Sequence, residues 1–369
     1  MSQLFDTYEL AGQMLRNRIV MAPMTRSRSE GFMANALNAR YYQQRSSAGL
    51  IITEGTPISA QGQGYLAVPA IYSDAHVEGW SLVTEAVHEA GGIIFAQIWH
   101  VGRMSHATLQ PDAGAPVGPS DKPVESSPVN RVFINLPEGG RGPADPTPPR
   151  ALSTDEIPAI EEDFVNAAIN AMKAGFDGVE IHGANGYLLE QFLNAGLNVR
   201  QDHYGGSVEN RARLTLETVD QVVANIGAHK VGIRLSPNSQ LFVPDYPENE
   251  ATYLYLAAEL GKRSIAYVHL VDNRGQGESL LTQDFLERFK TAFGGTVILA
   301  GSLTRERATR MLEAGLIDLA AFGQPFIANP DLVDRLQRDL PLASPDRATL
   351  YGGGEEGYVD YPIYAELSY

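Results

Sequence analysis

The chain has 369 residues, an ordinary globular composition (44% hydrophobic, 20% charged) and a formal charge of −16. That acidity argues against nucleic acid or an anionic membrane as partner, because both require a basic face. Cysteine is absent, which excludes disulfides, thiolate catalysis, zinc–cysteine sites and iron–sulfur clusters.

No run is apolar enough to span a bilayer. The N-terminus MSQLFDTYEL has no basic n-region and no apolar h-region, so no secretory signal is expected. A cytoplasmic location fits these features.

Short apolar, β-branched runs alternate with longer helical patterns along the chain. Ile19–Thr25 (IVMAPMT) is the first strand candidate, and Asn35–Ser47 must serve as its helix. Gly49–Thr56 (GLIITEGT) comes next. The helix over Asp74–Ala90 follows it, with Val77, Trp80, Val83, Ala86 and Val87 on one stripe. Ile93–His100 (IIFAQIWH) is the third strand. A helix over Asp155–Ala174, with Thr154 as cap candidate and Gly175 as its stop, leads to Gly178–Gly183 (GVEIHG). Val231–Pro237 (VGIRLSP) precedes a helix over Asn249–Lys262, and Tyr267–Asp272 (YVHLVD) precedes one over Leu281–Ala292. Thr296–Gly301 (TVILAG) is followed by a helix opened by Thr304 and closed at Gly315. Leu319–Pro325 (LAAFGQP) is followed by one over Pro330–Arg338.

Continuous apolar runs suit parallel strands buried on both faces. Eight strand-then-helix units in series predict an α/β fold, the TIM (β/α)8 barrel. Val101–Arg150 breaks the pattern: it contains APVGPS and LPEGGRGPADPTPPR and is far longer than an ordinary βα loop. It is expected to be an excursion after the third strand, with a hairpin around Arg131–Asn135, folding over the barrel mouth. A linker between domains is the alternative, but the βα count is wrong on either side of a cut. One domain over residues 1–369, capped by residues 101–150, is expected.

Chemistry in this fold sits at the C-terminal ends of the strands. Those ends carry Thr25, Glu54-Gly55-Thr56, Gln97 with Trp99-His100, His182 with Asn185 and Tyr187, Arg234, Asp272, Gly301-Ser302 and Gly323-Gln324. Gln97 and Arg234 lie inside strands, where alternation can turn them into the barrel. A long polar group there needs a partner, and a bound polar ring system would supply one. Glycine at the ends of the seventh and eighth strands suits a phosphate cradle, although a plain tight turn also uses glycine. His182 and Asn185 can both donate from one loop to an oxygen that gains charge, with Tyr187 as a proton donor beside them. A metal site is a weak rival, since His182 has no carboxylate close by in sequence. Gly62-Gln63-Gly64-Tyr65-Leu66-Ala67 matches G-x-G-x-x-A but follows no strand end and opens no helix, as a dinucleotide fingerprint would. The scattered His76, His88, His106, His203, His229 and His269 are read as structural.

Composition and periodicity stop at a barrel with a polar mouth. The motifs IVMAPMTRSR, RSSAGLIITEGT, FAQIWHVGR, GFDGVEIHGANGYLLEQFL, DHYGGSVENRARL, GIRLSP, AFGQPFIANPDL and YGGGEEGYVDYP resemble, in order and over nearly the whole chain, the old yellow enzyme family.

The resemblance implies non-covalent FMN at the barrel mouth, reduced transiently by NADPH or NADH and reoxidised by an activated alkene, an α,β-unsaturated carbonyl or a nitroalkene, in ping-pong fashion. By matching positions it implies that Pro23, Met24, Thr25 and Gly55 contact the flavin ring. Gln97 and Arg234 bind its pyrimidine edge, and Gly301, Ser302, Gly323 and Gln324 fall at its phosphate. His182 and Asn185 hold the substrate oxygen, Tyr187 protonates carbon, and Tyr65, Trp99 and Tyr351 line the substrate pocket. Thr25 places the chain in the threonine branch of the family. No metal is implied, and a monomer or homodimer is expected.

Two departures stand out. Gln324 occupies the place of the family's usual phosphate-loop arginine, with Arg305 as the first candidate to compensate. GFMANALNARYY lacks the proline-threonine usual before that helix, so the loop near Met33 is expected to differ in shape. Two other readings remain at this stage. One is a metal-dependent lyase or hydrolase using Glu54, His182 and Asp272, and the other a non-catalytic flavin-binding scaffold.

Overall fold

The computed structural model describes residues 3–272 and 279–364. All eight expected strands form: β1 (Ile19–Met21), β2 (Leu50–Ile52), β3 (Ile94–Trp99), β4 (Gly178–Gly183), β5 (Val231–Leu235), β6 (Tyr267–Val271), β7 (Val297–Ala300) and β8 (Leu319–Phe322). Each pairs in parallel with the next, and β8 pairs with β1, so the sheet closes into a barrel. Every residue of these strands is buried, which is why they read as mostly apolar runs.

Two apolar layers hold the barrel. Its interior is packed by Val20, Leu50, Ile52, Phe95, Tyr267, Ile298 and Leu319. Leu10 and Leu15 of an N-terminal hairpin (Tyr8–Leu10 with Gln13–Leu15) join that cluster beside residues that begin the strands. They plug the barrel end opposite the site. The outer layer forms where helices cover the sheet: α1 (Ala36–Gln43), α2 (Asp74–Glu89), α3 (Ile157–Lys173), α4 (Leu188–Leu193), α5 (Val208–Ile226), α6 (Asn249–Lys262), α7 (Gln283–Phe293), α8 (Arg305–Glu313), α9 (Gln324–Ala328) and α10 (Leu332–Arg338).

Local chemistry explains most helix ends. Asn35, Ser73, Ser207, Thr282 and Thr304 each accept backbone N–H groups as N-caps. The cap expected at Thr154 is a correction. Ser153 and Glu156 form a capping box around the 3-10 turn that opens α3, and the Thr154 hydroxyl donates to Asp202 at 2.6 Å instead. No helix was assigned between β4 and β5, yet α4 and α5 lie there. Leu214, Thr215, Thr218, Val219 and Val222 are the buried stripe of α5, a 3–4 spacing that the motif around it obscured.

The excursion after β3 contains the expected hairpin, Val132–Asn135 paired antiparallel with Arg141–Ala144. Its inward residues Val132 and Ile134 pack in one cluster with Trp99, Val101, Met104 and Tyr187. Buried Arg103 ties the excursion down, donating to the carbonyls of Lys122, Pro123 and Phe242.

Candidate active site

Strand register gathers five polar side chains. Gln97 on β3 lies beside Glu180 on β4, and His182 on β4 beside Arg234 on β5, which lies beside His269 on β6. Laterally paired residues share a face, so all five converge at the barrel interior. Gln97 Nε2 donates to Glu180 Oε1 at 2.8 Å, and His269 Nδ1 lies 2.8 Å from Glu180 Oε2. Burial pushes Glu180 up, but His269, Arg234 and the bond from Gln97 outweigh it and hold the carboxyl below its ordinary value. Burial pushes His269 down, so the ring donates Nδ1–H to Glu180 as a neutral group.

Arg234 is only 7% exposed, and its Nε is buried with no hydrogen-bond partner among the described residues. A guanidinium left this way is costly unless something accepts from it. Gln97 spends its Nε2 on Glu180, so Oε1 is the end that can accept. A cation with spare N–H groups next to an amide acceptor complements a flavin pyrimidine edge, which presents carbonyl oxygens and one N–H. The residues therefore fit FMN.

The loop after β4 carries the second cluster. His182 is 3% exposed, and its Nδ1 accepts from Ala184 N at 3.3 Å, so the ring proton sits on Nε2. Burial, reinforced by Arg234 and His269, pushes His182 well below its ordinary value; the ring is neutral and a donor. Ala184–Tyr187 then forms a tight turn closed by Tyr187 N to Ala184 O at 3.2 Å. Asn185 and Gly186 both have positive φ, 56° and 74°, as a type I′ turn demands, and Asn-Gly is the sequence that favours it. The turn delivers Tyr187 under Trp99 and against His182, with ring centroids at 4.8 and 4.9 Å. The hydroxyls of Tyr187 and Tyr65 lie 2.7 Å apart. Burial and then Tyr65 push the Tyr187 phenol well above its ordinary value, and burial pushes Tyr65 up to about 12. Both stay protonated at neutral pH.

The ends of β7 and β8 form a third group. Gly301 has φ +131°, and a Cβ there would come within 2.3 Å of Asp272 O; Ser302 follows at φ +47°. Arg307 braces this bend, donating to Gly301 O at 2.7 Å and to Asp272 Oδ2 at 2.6 Å. Gly323 precedes α9, whose first residue is the exposed Gln324. A Cβ at Gly323 would meet nothing closer than 3.6 Å, so packing alone does not demand glycine there. Arg305 turns away from this bend: it pairs with Asp339 at 3.2 Å and lies over the Phe5 ring.

Pro23, Met24 and Thr25 are half-buried on the irregular segment after β1. Met24, Thr25, Gln324 and Tyr351 line one cavity of about 290 Å³. Tyr351 is 68% exposed, at the rim. Gly55 is fixed by packing, since a Cβ would run into the Trp99 ring at 2.6 Å. Glu54 and Asp272, the carboxylates of the metal reading, have other partners: Glu54 accepts from Arg26 N at 3.1 Å and Asp272 binds Arg307.

The sequence profile of the NADH:flavin oxidoreductase / NADH oxidase family matches residues 3–343. The chain belongs to this family, that of the old yellow enzymes. It is 44% identical to 12-oxophytodienoate reductase 2 of Arabidopsis thaliana over 97% of this chain and 95% of that one. It is 42% identical to 12-oxophytodienoate reductase 1 of Oryza sativa subsp. japonica over 99% and 94%. Among solved structures, morphinone reductase superposes with a TM-score of 0.96 at 45% identity, covering 100% of this chain and 98% of that one. The old yellow enzyme homologue from Zymomonas mobilis does so with a TM-score of 0.89 at 39% identity, covering 98% and 99%.

An old yellow enzyme is a flavoprotein oxidoreductase that draws on a nicotinamide, and morphinone reductase has been solved with tetrahydroNAD. Sequence reasoning missed Glu180 and His269 as partners of the Gln97–Arg234 edge. The signal was present: Glu180 stands two residues before His182, on the same strand face. It also missed Glu190 and Ser236 behind the Asn185 turn.

Proposed function

We propose that the chain reduces activated C=C bonds of α,β-unsaturated carbonyls and nitroalkenes, using NADH or NADPH, at a site built on His182, Asn185 and Tyr187. The relatives support this substrate class: they are reductases named for an oxophytodienoate and for morphinone. The observation that carries the assignment is a neutral His182 with its proton on Nε2, ring-to-edge with a Tyr187 that holds its phenolic proton.

When bound, FMN would supply two-electron hydride exchange between the nicotinamide and the activated alkene. Arg234 and Gln97 orient the pyrimidine edge, while Pro23, Met24, Thr25 and Gly55 border the ring. Gly301, Ser302, Gly323 and Gln324 form the phosphate end. His182 Nε2–H and the Asn185 amide hold the substrate oxygen as it gains charge. Tyr187 delivers the proton to the α-carbon. Tyr65, Trp99 and Tyr351 bound the space above, and residues 101–150 cap it and keep water out. The whole chain, 1–369, acts as one domain. No helix among the described residues is long and apolar enough to cross a membrane, and a cytoplasmic location fits.

The test is direct. Denatured protein should release FMN rather than FAD; anaerobic NADH or NADPH should bleach the flavin, and 2-cyclohexenone should restore its colour. Release of FAD, or no bleaching by either nicotinamide, would sink the assignment.

A further inference from the structure

Glu190 is a buried carboxyl that the chemistry above does not use. It is 3% exposed and stands third in α4, whose N-cap is Tyr187. From there it reaches back over the turn, as a carboxylate at this helix position commonly does. Its Oε2 accepts from Gly186 N. The Ser236 hydroxyl donates to it at 2.8 Å, and the Tyr253 hydroxyl at 2.8 Å. Ser236 Oγ in turn accepts from Asn185 N at 2.8 Å. At the same residue, Gln191 Nε2 donates to Gly186 O at 2.7 Å.

The N–H groups of the two positive-φ residues are thus both secured by one carboxyl, directly at Gly186 and through Ser236 at Asn185. Among the described residues, no cation is hydrogen-bonded to Glu190. A buried carboxyl with no cation beside it depends on its hydrogen-bond donors to hold its charge.

Resting on the function proposed above, we infer that Glu190 is a positioning residue that acts through Ser236 and Gly186 to set where the Asn185 side chain meets the substrate oxygen. The direction of each proton follows. Ser236 Oγ already accepts from Asn185 N, so its own proton must go to Glu190. The Gly186 N–H cannot turn. The amide or the protonated acid keeps one accepting oxygen for three donors, Gly186 N–H and the Ser236 and Tyr253 hydroxyls, so at least one of these bonds must be given up or reversed, and the turn loosens. Burial pushes Glu190 up to about 7, so lowering the pH through that value should loosen the same turn in the native enzyme.

The experiment is a double-mutant cycle on FMN-loaded enzyme, read by stopped flow as reoxidation of reduced flavin by 2-cyclohexenone. Glu190→Gln should slow reoxidation roughly tenfold or more, since misplacement by about 1 Å already costs that much. In an Asn185→Ala background the same change should alter the rate by less than about twofold, because coupled positions are not additive. Ser236→Ala, which leaves Glu190 intact, should behave like Glu190→Gln. The native rate should rise with pH through about 7, and Glu190→Gln should abolish that inflection. Equal slowing in both backgrounds, or an unchanged pH profile, overturns the inference, as does loss of bound FMN in both variants. Failure of the native enzyme to be reoxidised by any enone would instead overturn the parent assignment.

Discussion

The hydroxyls of Tyr187 and Tyr65 sit 2.7 Å apart, and both rings pack on Trp99. Two phenols share one hydrogen bond, so one proton lies between them and one remains to be given. If Tyr65 donates to Tyr187, the Tyr187 proton faces the pocket. Tyr187→Phe should then slow cyclohexenone reduction by about 10²–10⁴-fold, the worth of a positioned acid. Flavin reduction by NAD(P)H needs no proton donor and should be spared. Nitroalkenes should suffer less, because a nitronate can leave and take its proton from water. Stopped-flow kinetics of both half-reactions decide it. Equal slowing of the two would reduce Tyr187 to a packing residue.

His182 and Asn185 should behave as a unit. Replacing both by Ala should cripple alkene reduction, at about 2.7–4 kcal/mol per donor by analogy with other oxyanion sites. Bound FMN per chain, measured by absorbance, should not change, because neither residue is assigned to the pyrimidine edge or the phosphate.

Glu180 sits between Gln97 and His269, beneath the edge that Arg234 serves. Glu180→Gln removes a negative charge and leaves Arg234 uncompensated. Reduction adds negative charge to the ring, so the flavin midpoint potential should rise. About 30 mV corresponds to roughly 1.4 kcal/mol for a two-electron couple, and a shift of about that size is expected in spectroelectrochemical titration. A fall in potential would mean that the lost Gln97 orientation outweighs the lost charge.

Legibility in the sequence followed physical scale. The eight strands were readable because each is buried on both faces and so is mostly apolar, broken only by the few polar residues that build the site. The Asn185-Gly186 dipeptide carries the signal of its type I′ turn, although sequence reasoning saw only a loop there and missed α4. Cap and ion-pair choices were less accessible. Thr154 resembles a cap as Ser153 does, but the Ser153-x-x-Glu156 spacing of a capping box favours Ser153 locally, and Asp202, 48 residues away, engages the Thr154 hydroxyl. Arg305 and Arg307 are indistinguishable as bases in a row, yet one turns to Asp339 and the other to Gly301. Partners distant in sequence decide the arginine case, and no local pattern encodes it. The flavin edge is intermediate: Gln97 and Arg234 stood out as polar residues inside strands, while Glu180 and His269 passed as ordinary.

Away from the site, Glu161 on α3 is 5% exposed and faces Glu217 on α5. Burial, and then the neighbouring Glu217, push Glu161 up to about 7. Its folded value lies above its unfolded one. Its contribution to stability is therefore present at low pH and lost as pH rises through about 7. Glu161→Gln removes that loss. The melting temperature of the variant should gain on the native protein between pH 5 and pH 8 by about 1–3 °C, the response expected for ~1 kcal/mol in a large domain. A gap that stays constant with pH would show that the two carboxyls do not share a proton.

The last prediction concerns Gln324. It opens α9 directly after Gly323 and is exposed, at the helix end where the macrodipole favours an anion. It also lines a cavity with Met24, Thr25 and Tyr351, two of which are proposed to border the flavin ring. Arg305, the first candidate to replace the family's arginine, is engaged with Asp339 at 3.2 Å. Arg307 stands nearer, at Gly301 O, but its guanidinium is already committed to Asp272. The cradle thus lacks an uncommitted arginine among the described residues named here. Gln324→Arg should supply one. A charge-assisted hydrogen bond is worth about 1.5–3 kcal/mol, so FMN should bind roughly 10–100-fold more tightly to the apoprotein in a fluorescence titration. The gain should shrink as salt is raised, as expected for an exposed charge pair. A lysine should recover only part of it, because it cannot meet the phosphate with a planar fork. Unchanged or weaker binding in Gln324→Arg would mean that another base already serves the phosphate. Releasing Arg307 by Asp272→Asn would then be the variant to compare.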